Sequence, residues 1–507
     1  MQFLRQQVRV PPEQAAAFCS TLAVRRADLE PRPANSVSPK QHVVALLPRG
    51  EAIRNFVYSG ALDLVAEQSD LTVMSVIPND TIRALLHCRY PRVMPLDTNT
   101  EEHRIVYSLR ELLDMAHGRW LWSVAARERW RLRDFEAATP GERLKRLIKK
   151  GACYPFTSRT GVEILSRVER AASSWLCSSN DYVELFRRWK PSLVFNGSHV
   201  HGGVAIPAVQ AAQWLHIPTA AFIFSWDNLT SQGRIIPPYD YYLVWSSELR
   251  DRLLDIYRQV DPARVFVTGT PQFDAHFQTS TYWSREDFCA RVGANPARPI
   301  VLYTTGMANH MPGEPRIVQG IADMLRSMND FGPPQLLVRV YAKDRTGRFE
   351  DLKRARPDII FPEVPWEPTW LTPKIEDTAL LTNTLRHAAL GINVASTISL
   401  ELCMFDKPVI NVAYNPPGVN VAPLDYQQPY SFDHYRPVVA SGAVTLARSE
   451  TEMAALLGRA LLRPGEHRAN RQRLLGAMFD GTLDGRCANR VADALVRLSA
   501  GEPCPVH

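Results

Sequence analysis

The sequence predicts an α/β protein built from two successive doubly wound parallel sheets, each flanked by helices. Short apolar runs of strand length alternate with helical segments along most of the 507 residues. This alternation is typical of parallel sheets with crossover helices. The length exceeds what one ordinary core supports and suggests two or three domains. Hydrophobic residues make up 45% and charged residues 22% of the chain, which is ordinary for a globular protein in water.

Several classes of protein are not expected from the composition. No run of eighteen apolar residues occurs, so a transmembrane helix is not predicted. The N-terminus lacks the apolar core of a signal peptide, and we expect a cytoplasmic protein. The eight cysteines form no CxxC pair, and no D-x-D motif follows a strand, so no metal site is predicted. A phosphate-binding P-loop motif is also missing, and no cofactor is expected.

The first half of the sheet-forming sequence begins after a polar, proline-bearing arm, residues 1–40. A strand at 42–47 leads through a turn into a helix at 52–67. Residues 81–190 are mainly helical and basic, and we interpret them as an insertion. The other strands of this half are predicted at 71–77, 192–195, 219–224, 241–245 and 265–268. We expect these elements to form one domain over residues 41–274.

The second half repeats the alternation of strand and helix. It is expected to form a second domain over residues 275–480, followed by a C-terminal helix and tail over 481–507. A helix at 490–498 is the last regular element. The strands are predicted at 299–304, 335–341, 358–362, 390–394 and 409–413.

A basic stretch with interleaved tryptophans lies inside the insertion. Residues 119–150 hold ten Lys or Arg and four acidic residues, a net charge of +6, together with Trp120, Trp122 and Trp130. Three interpretations are open: a solvated helical face with inward tryptophans, peripheral contact with an anionic membrane, or a phosphate backbone. No nucleic-acid module is visible elsewhere, so nucleic acid is not the expected partner.

The turn after the predicted strand 390–394 carries small hydroxyl residues at the start of a helix. Ser396 and Thr397 lie where unpaired N–H groups and the helix dipole favour an anion such as a phosphate. Glu401 follows about one turn later, where a carboxylate can accept hydrogen bonds from ribose hydroxyls. The alternative is an ordinary N-cap with an acid that complements the helix dipole.

Four segments, in this order, give the chain a resemblance to a known family. They are GTPQFD at 269–274, LVRVYAKD at 337–344, the helix-strand-turn-helix at 387–411, and the ending that begins with FDG at 479–491. The chain resembles GT-B-fold glycosyltransferases, in particular the capsule, teichoic-acid and surface-polysaccharide transferases and the related UDP-GlcNAc 2-epimerase-like group. Tyr341 and Ala342 stand where the family has His-Pro, which argues against a CDP-glycerol or CMP-sugar donor.

The resemblance implies two Rossmann-like domains that face each other across a cleft, with a nucleotide-sugar donor on the second. A UDP-type donor is favoured. Phosphate would be approached by Thr304, Thr305 and Gly306, while Arg339 and Lys343 would neutralise the diphosphate leaving group. The full expected donor-binding set is Thr304, Thr305, Gly306, Arg339, Lys343, Ser396, Thr397 and Glu401.

The first domain is expected to bind the acceptor and to supply the base, because strand ends in such sheets hold ligands. Asp227, His199 and Glu51 are the candidate bases, since each follows a strand and can take a proton from an acceptor hydroxyl. An Asx turn or helix cap is the alternative role for Asp227. The expected acceptor-binding residues are Arg49, Gly50, Asn196, His201, Trp226 and Asn228.

Three functions remain open from the sequence. The first is transfer of a sugar from a nucleotide donor to a glycan, lipid-linked or small-molecule acceptor, in surface polysaccharide or glycoconjugate biosynthesis. The second is a sugar-nucleotide 2-epimerase-like activity. The third is a non-catalytic scaffold that binds a sugar nucleotide. We expect the first, without a metal ion.

Overall fold

Two parallel sheets organise the protein, as the sequence predicts. The computed structural model describes residues 40–98, 102–177, 179–200, 202–328 and 333–502. The predicted N-terminal arm, residues 1–40, lies outside these residues except for Lys40. The strands of the first sheet are β1 His42–Leu47, β2 Asp70–Ser75, β3 Val93–Pro95, β4 Leu193–Asn196, β5 Thr219–Phe222, β6 Tyr241–Val244 and β7 Val265–Val267. They lie in the order β3-β2-β1-β4-β5-β6-β7, and every neighbouring pair is parallel.

The second sheet has five parallel strands in the order β14-β13-β12-β8-β9. A small antiparallel hairpin, β10-β11, lies outside it. The chain order reverses between β1 and β4 in the first sheet and at β8 in the second, and such points form ligand-binding crevices. The strands are β8 Ile300–Thr304, β9 Gln335–Arg339, β10 Trp366–Glu367, β11 Thr372–Pro373, β12 Leu390–Asn393, β13 Val409–Val412 and β14 Thr445–Ala447.

Helices cover both faces of each sheet, because the strands are apolar on both sides and must be buried on both. In the first part of the chain they are α1 Gly50–Ile53, α2 Ala61–Gln68, α3 Asp80–Arg89, α4 Arg104–Leu121, α5 Val124–Glu136, α6 Pro140–Cys153, α7 Arg159–Leu176, α8 Asn180–Trp189, α9 Ile206–Trp214, α10 Asn228–Ser231 and α11 Ser247–Ile256. In the second they are α12 Arg285–Val292, α13 Glu314–Arg326, α14 Glu350–Ala355, α15 Ile375–His387, α16 Ile398–Met404, α17 Arg436–Ala440, α18 Glu450–Leu462, α19 Arg468–Phe479 and α20 Cys487–Ala500.

The helical insertion has a small core of its own. Helices α4 to α7 enclose Leu113, Met115, Trp130 and Leu165, which are buried, and Trp120 and Trp122 pack against them half-buried. The tryptophans of the basic stretch therefore face inward. The insertion is not wholly helical, since β3 pairs with β2 at the edge of the first sheet.

Some elements differ from their predicted form. The predicted helix 52–67 is divided into α1, a π-helical turn at Arg54–Tyr58 and α2. Gly60 separates the last two with φ 83°, a left-handed conformation that glycine adopts at little cost. The predicted strand 358–362 is reduced to one parallel bridge between Leu337 and Ile360. The short strand β14 and the hairpin were not predicted, because runs of two or three residues carry no readable periodicity.

The C-terminal helix α20 returns to the first sheet, where it packs against α2, β1 and β4. Its N-terminus is held by Asp274, which lies in the 3-10 segment Pro271–Phe277 between the two sheets. The Asp274 carboxylate accepts the backbone N–H groups of Cys487 at 3.1 Å and Ala488 at 2.7 Å. Burial raises the pKa of Asp274 to about 6. One buried carboxylate thus fixes the end of the chain to the segment between the sheets.

Replacing Asp274 with alanine should destabilise the protein by about 3 kcal/mol, because two buried N–H groups lose their acceptor. Urea unfolding at neutral pH measures this change. The matched control is Asp261→Ala, since Asp261 caps an exposed 3-10 turn through Ala263 and should cost less than about 1 kcal/mol. Equal losses in the two variants would contradict a special role for Asp274.

Candidate functional site

A cavity of about 920 Å³ lies between the two sheets, where their strand carboxyl ends meet. The second domain contributes the loops after β8, β9 and β12. The first contributes α1, the loop after β5 and one side of α5. The expected site residues that line this cavity are Glu51, Asp227, Asn228, Thr304, Thr305, Gly306, Arg339, Lys343, Ser396, Thr397 and Glu401. The structure therefore brings all the predicted donor residues to one place.

An ion pair across the cleft joins the two domains in this cavity. Lys343 Nζ lies 3.0 Å from Oε1 of Glu51, and both side chains are largely buried. Arg49 Nε lies 3.1 Å from Oε2 of the same carboxylate, as an ion pair without hydrogen-bond geometry. Burial raises the pKa of Glu51, but Lys343, Arg54 and Arg49 outweigh burial and hold that pKa below its usual value. Glu51 is therefore a carboxylate at neutral pH, which limits its strength as a base.

Arg339 is held by a second buried carboxylate and keeps donor capacity for a ligand. Its Nη2 donates to both oxygens of Asp377, at 2.7 and 2.9 Å, and Trp366 Nε1 donates to the same carboxylate at 2.6 Å. Its Nη1 is buried and has no hydrogen-bond partner among the described residues. Thr304 Oγ1 is likewise buried without a partner there. Buried polar atoms are usually paired, so these two groups beside the cavity remain available to hydrogen-bond a ligand.

The loop after β8 is fixed from behind by a buried acid that sequence analysis missed. Glu314 is fully buried and accepts the N–H of Gly306, the hydroxyl of Tyr303 at 3.0 Å and Arg348 Nη2 at 2.8 Å. Arg348 also donates to the carbonyl of Gly306 at 2.9 Å. Burial raises the pKa of Glu314 to about 7. The N–H of Gly306 is therefore already taken and is not available to a phosphate, contrary to the expectation for this loop.

The hydroxyl turn after β12 lies on the cavity wall, and its groups are partly used. The N–H of Ser396 donates to Asn393 Oδ1 at 3.3 Å, and Thr397 Oγ1 accepts Trp226 Nε1 at 3.1 Å across the cleft. Glu401 Oε2 lies 2.8 Å from His276 Nε2. Among the described residues its other oxygen has no hydrogen bond, so one oxygen remains for a ribose hydroxyl.

Asp227, like Glu51, is a candidate base that lines the cavity from the first domain. Its carboxylate accepts the hydroxyls of Ser225 and, at 2.6 Å, of Ser231. Its backbone carbonyl accepts the N–H groups of Thr230 and Ser231 at the start of α10, while its side chain caps no backbone N–H. The carboxylate is thus oriented by two hydroxyl groups and faces the cavity.

His199 does not line the cavity. Its Nδ1 lies 3.2 Å from the carbonyl of Phe222 and 3.3 Å from the N–H of Phe224, behind the strand end. Burial lowers its pKa to about 4. The structure therefore does not favour His199 as the residue that meets an acceptor.

Four of the six expected acceptor residues do not line the cavity and make structural contacts instead. Gly50 lies against the second domain, where a Cβ atom would stand 2.1 Å from Thr372 Oγ1. The buried Asn196 donates to the hydroxyl of Tyr239 at 2.8 Å. Arg49 pairs with the carboxylate of Glu51, and Trp226 joins the two domains. Asn228 lines the cavity, and His201 lies outside the described residues.

The structure adds cavity residues that sequence reasoning missed. His434, from the connection after β13, lies beside Trp226 with ring centroids 5.4 Å apart and is 3.4 Å from the Thr230 hydroxyl. Burial lowers its pKa, and the Asp227 carboxylate partly opposes this. Arg129 and Arg133 of α5 line the same side of the cavity. No motif marks these residues, because they reach the site from distant parts of the chain.

Comparisons with known proteins show what fold this site belongs to. No protein-family model and no curated protein matches the sequence. A putative UDP-N-acetylglucosamine 2-epimerase from Listeria monocytogenes matches with TM-score 0.53 and 13% identity, over 92% of this chain and 99% of that one. The S. aureus MnaA-UDP structure matches with TM-score 0.52 and 12% identity, over 92% and 100%. The Neisseria meningitidis UDP-GlcNAc 2-epimerase bound to UDP-GlcNAc matches with TM-score 0.51 and 10% identity, over 90% and 99%. The predicted two-domain GT-B-like fold is thereby confirmed.

Replacing Lys343 with methionine should destabilise the protein by about 3 kcal/mol at pH 7, because a buried carboxylate loses its main partner. In the wild type, the Glu51 carboxylate stabilises the folded state fully at pH values above its pKa in the unfolded chain. This stabilisation is lost as the pH falls through the lowered pKa of Glu51 in the folded protein. In the variant, burial without Lys343 raises the pKa of Glu51. The loss in free energy of unfolding relative to the wild type should therefore become smaller as the pH falls towards about 4. Urea unfolding of both proteins at several pH values measures the difference.

The matched control is Lys353→Met, which removes an exposed pair with Glu350 and should cost less than about 0.5 kcal/mol. A deficit of Lys343→Met that does not change with pH would contradict the proposed coupling to Glu51.

Proposed function

We propose that the protein is a glycosyltransferase that uses a nucleoside-diphosphate sugar, with a UDP type favoured. The observation that carries the proposal is a pair of buried donors on the cavity wall, Arg339 Nη1 and Thr304 Oγ1, for which the described residues provide no hydrogen-bond partner. The ammonium group of Lys343 lines the same cavity. Together these groups form a cationic, hydrogen-bonding surface for an anion inside a partly desolvated cleft. A diphosphate carries the charge and the acceptor oxygens that such donors require.

The same groups support a role in catalysis as well as in binding. When the bond between the sugar carbon and the diphosphate oxygen breaks, negative charge develops on that oxygen. Fixed donors that are already oriented stabilise this charge without reorganising during the reaction. Asp377 orients Arg339, and Glu51 positions Lys343, so neither cation needs to move far. We therefore expect turnover in the presence of EDTA, with the two cations stabilising the leaving group.

The opposite wall supports a place for the acceptor and its base. We propose that Asp227 takes the proton of an acceptor hydroxyl while that oxygen forms the new bond to the sugar carbon. Ser225 and Ser231 would hold the carboxylate towards the acceptor. His434 lies nearby, and Asp227 would stabilise it if it became protonated. The remaining cavity along α5 offers room for a second substrate beyond the sugar nucleotide.

A 2-epimerase activity is the second candidate, because the solved structures named above include UDP-GlcNAc 2-epimerases. Epimerisation removes a proton from a sugar carbon and returns one to the opposite face, without an acceptor molecule. Groups that act as base and acid, such as carboxylates, must therefore surround the sugar. In the present cavity Glu51 and Asp377 are each paired with a cation, which makes them weaker bases towards a sugar carbon and favours transfer. Nuclear magnetic resonance of UDP-GlcNAc with the purified protein distinguishes the two: a new sugar isomer would indicate epimerisation. Release of UDP that increases with an added acceptor would indicate transfer.

Replacing Thr304 with valine should weaken UDP binding about tenfold, because a hydrogen bond to a charged phosphate is lost. The free energy of unfolding should change little, since no described residue hydrogen-bonds to this hydroxyl. Isothermal titration calorimetry and urea unfolding measure the two quantities. The control Thr305→Val removes a hydroxyl that accepts the N–H of Tyr341 at 2.9 Å, and it should lower stability. Wild-type affinity in Thr304→Val would place the phosphate elsewhere, and no UDP binding by the wild type would overturn the proposal.

Replacing Asp227 with asparagine should lower the rate of sugar transfer by about a hundredfold or more, because the acceptor loses its base. UDP affinity should change little, since the donor groups lie on the other domain. Release of UDP from a UDP-sugar, with and without acceptor, measures the rate. The control His199→Gln alters a buried side chain that does not line the cavity. A larger loss of rate in the control than in Asp227→Asn would reverse the assignment of the base.

A further inference from the structure

Helix α6 presents an apolar face to solvent and two of its basic residues, Arg146 and Lys150, to the protein. Leu144, Leu147 and Ile148 are 58%, 65% and 62% exposed, and their spacing puts them on one side of the helix. On the opposite side, Cys153 is buried. A surface helix of a globular protein normally turns its apolar side inward. The orientation of α6 is therefore the reverse of the usual one.

The inward side of α6 is held against the rest of the insertion by several contacts. Arg146 Nε donates to Asp134 Oδ1 at 2.9 Å, and Lys150 Nζ bonds to the other oxygen of Asp134. Both cations lie over the ring of Trp130, at 5.0 and 5.3 Å from its centroid. A capping box of Thr139 and Glu142 sets the start of the helix. The outward apolar face is thus a built feature of the fold.

Positive charge borders this apolar face. Arg143 and Lys145 are both exposed and flank it on either side. The 119–150 stretch as a whole carries a net charge of +6. Two copies of such a surface would repel each other, whereas an anionic surface would attract it. Within the described residues, no helix is long and apolar enough to cross a membrane.

We propose that α6 is a docking helix for an anionic membrane surface, with Leu144, Leu147 and Ile148 inserted among the lipid headgroups. A helix with an apolar face and a basic border lies in the membrane interface in this way, and binding grows with the apolar area and with the anionic lipid content. The tryptophans of the stretch do not take part, because they lie in the core of the insertion.

The position of α6 links this surface to the cavity. It follows α5 after residues 137–139, and α5 carries Arg129 and Arg133 on the cavity wall. Helix α5 therefore separates α6 from the cleft, since Trp130 and Asp134, which contact α6, lie on a different side of α5 from these two arginines. Docking through α6 would bring this part of the protein towards lipid and would favour a lipid-linked acceptor, a consequence that rests on the proposed function. The docking itself does not depend on that function.

Sedimentation with lipid vesicles tests the inference on the full chain. Vesicles of phosphatidylcholine alone are compared with vesicles that contain one third phosphatidylglycerol. The wild type should bind the anionic vesicles at least tenfold more strongly, and high salt should weaken that binding. The triple variant Leu144→Gln, Leu147→Gln, Ile148→Gln should lose at least tenfold of it. Arg143→Gln with Lys145→Gln should reduce it as well.

Leu462→Gln is the matched control, since Leu462 is 62% exposed on α18 of the second domain, and it should bind vesicles like the wild type. Equal vesicle binding by the wild type and the triple variant would overturn the inference. The inference would also be overturned if the wild type were a dimer and the triple variant a monomer, because a second copy of the chain would then cover the apolar face. UDP titration of the wild type and the triple variant separates the two proposals, because both proteins should bind UDP equally well. A wild type that binds vesicles but not UDP would remove the proposed function and leave the docking helix.

Discussion

The ion pair between Glu51 and Lys343 is the interaction on which the arrangement of the site depends. It lies at the centre of the cleft and joins the first helix of one domain to the loop after β9 of the other. Burying two charges costs free energy unless they are paired, so the domains can close only where the charges of one meet those of the other. The direct bond from Trp226 to Thr397 adds a second fixed point nearby.

The same principle shapes the second domain. Arg339 lies against Asp377, and the Gly306 loop is held by Glu314, whose charge Arg348 balances. Each carboxylate neutralises part of a cation or fixes a backbone group before any ligand arrives. What remains uncompensated is a small set of donors that face the cavity. Preorganisation of this kind suits a ligand whose negative charge increases during reaction, because the protein need not rearrange to meet it.

The helical insertion connects the cleft with the surface. Its own core of buried tryptophan and aliphatic side chains fixes α5 along the cavity and α6 on the outside. A charged cluster around Trp130 and Asp134 decides which side of α6 faces the protein. One small folded unit therefore influences both what enters the cleft and what the protein meets at its surface.

Much of the fold, and the segments that line the second-domain wall of the cavity, could be predicted from the sequence. Apolar periodicity and chain order are local properties, so the main strands of both sheets and the hydroxyl turn at Ser396 could be predicted from them. Tertiary structure decided the rest, because partners such as Lys343 for Glu51, or Glu314 for Gly306, depend on which loops folding brings together. In the folded protein Asn196 and His199 lie behind the sheet edge, whereas His434 lines the cavity. Above all, an amphipathic pattern predicts a helix with two different faces, but only the contacts of α6 with Asp134 and Trp130 decide which face is left outside.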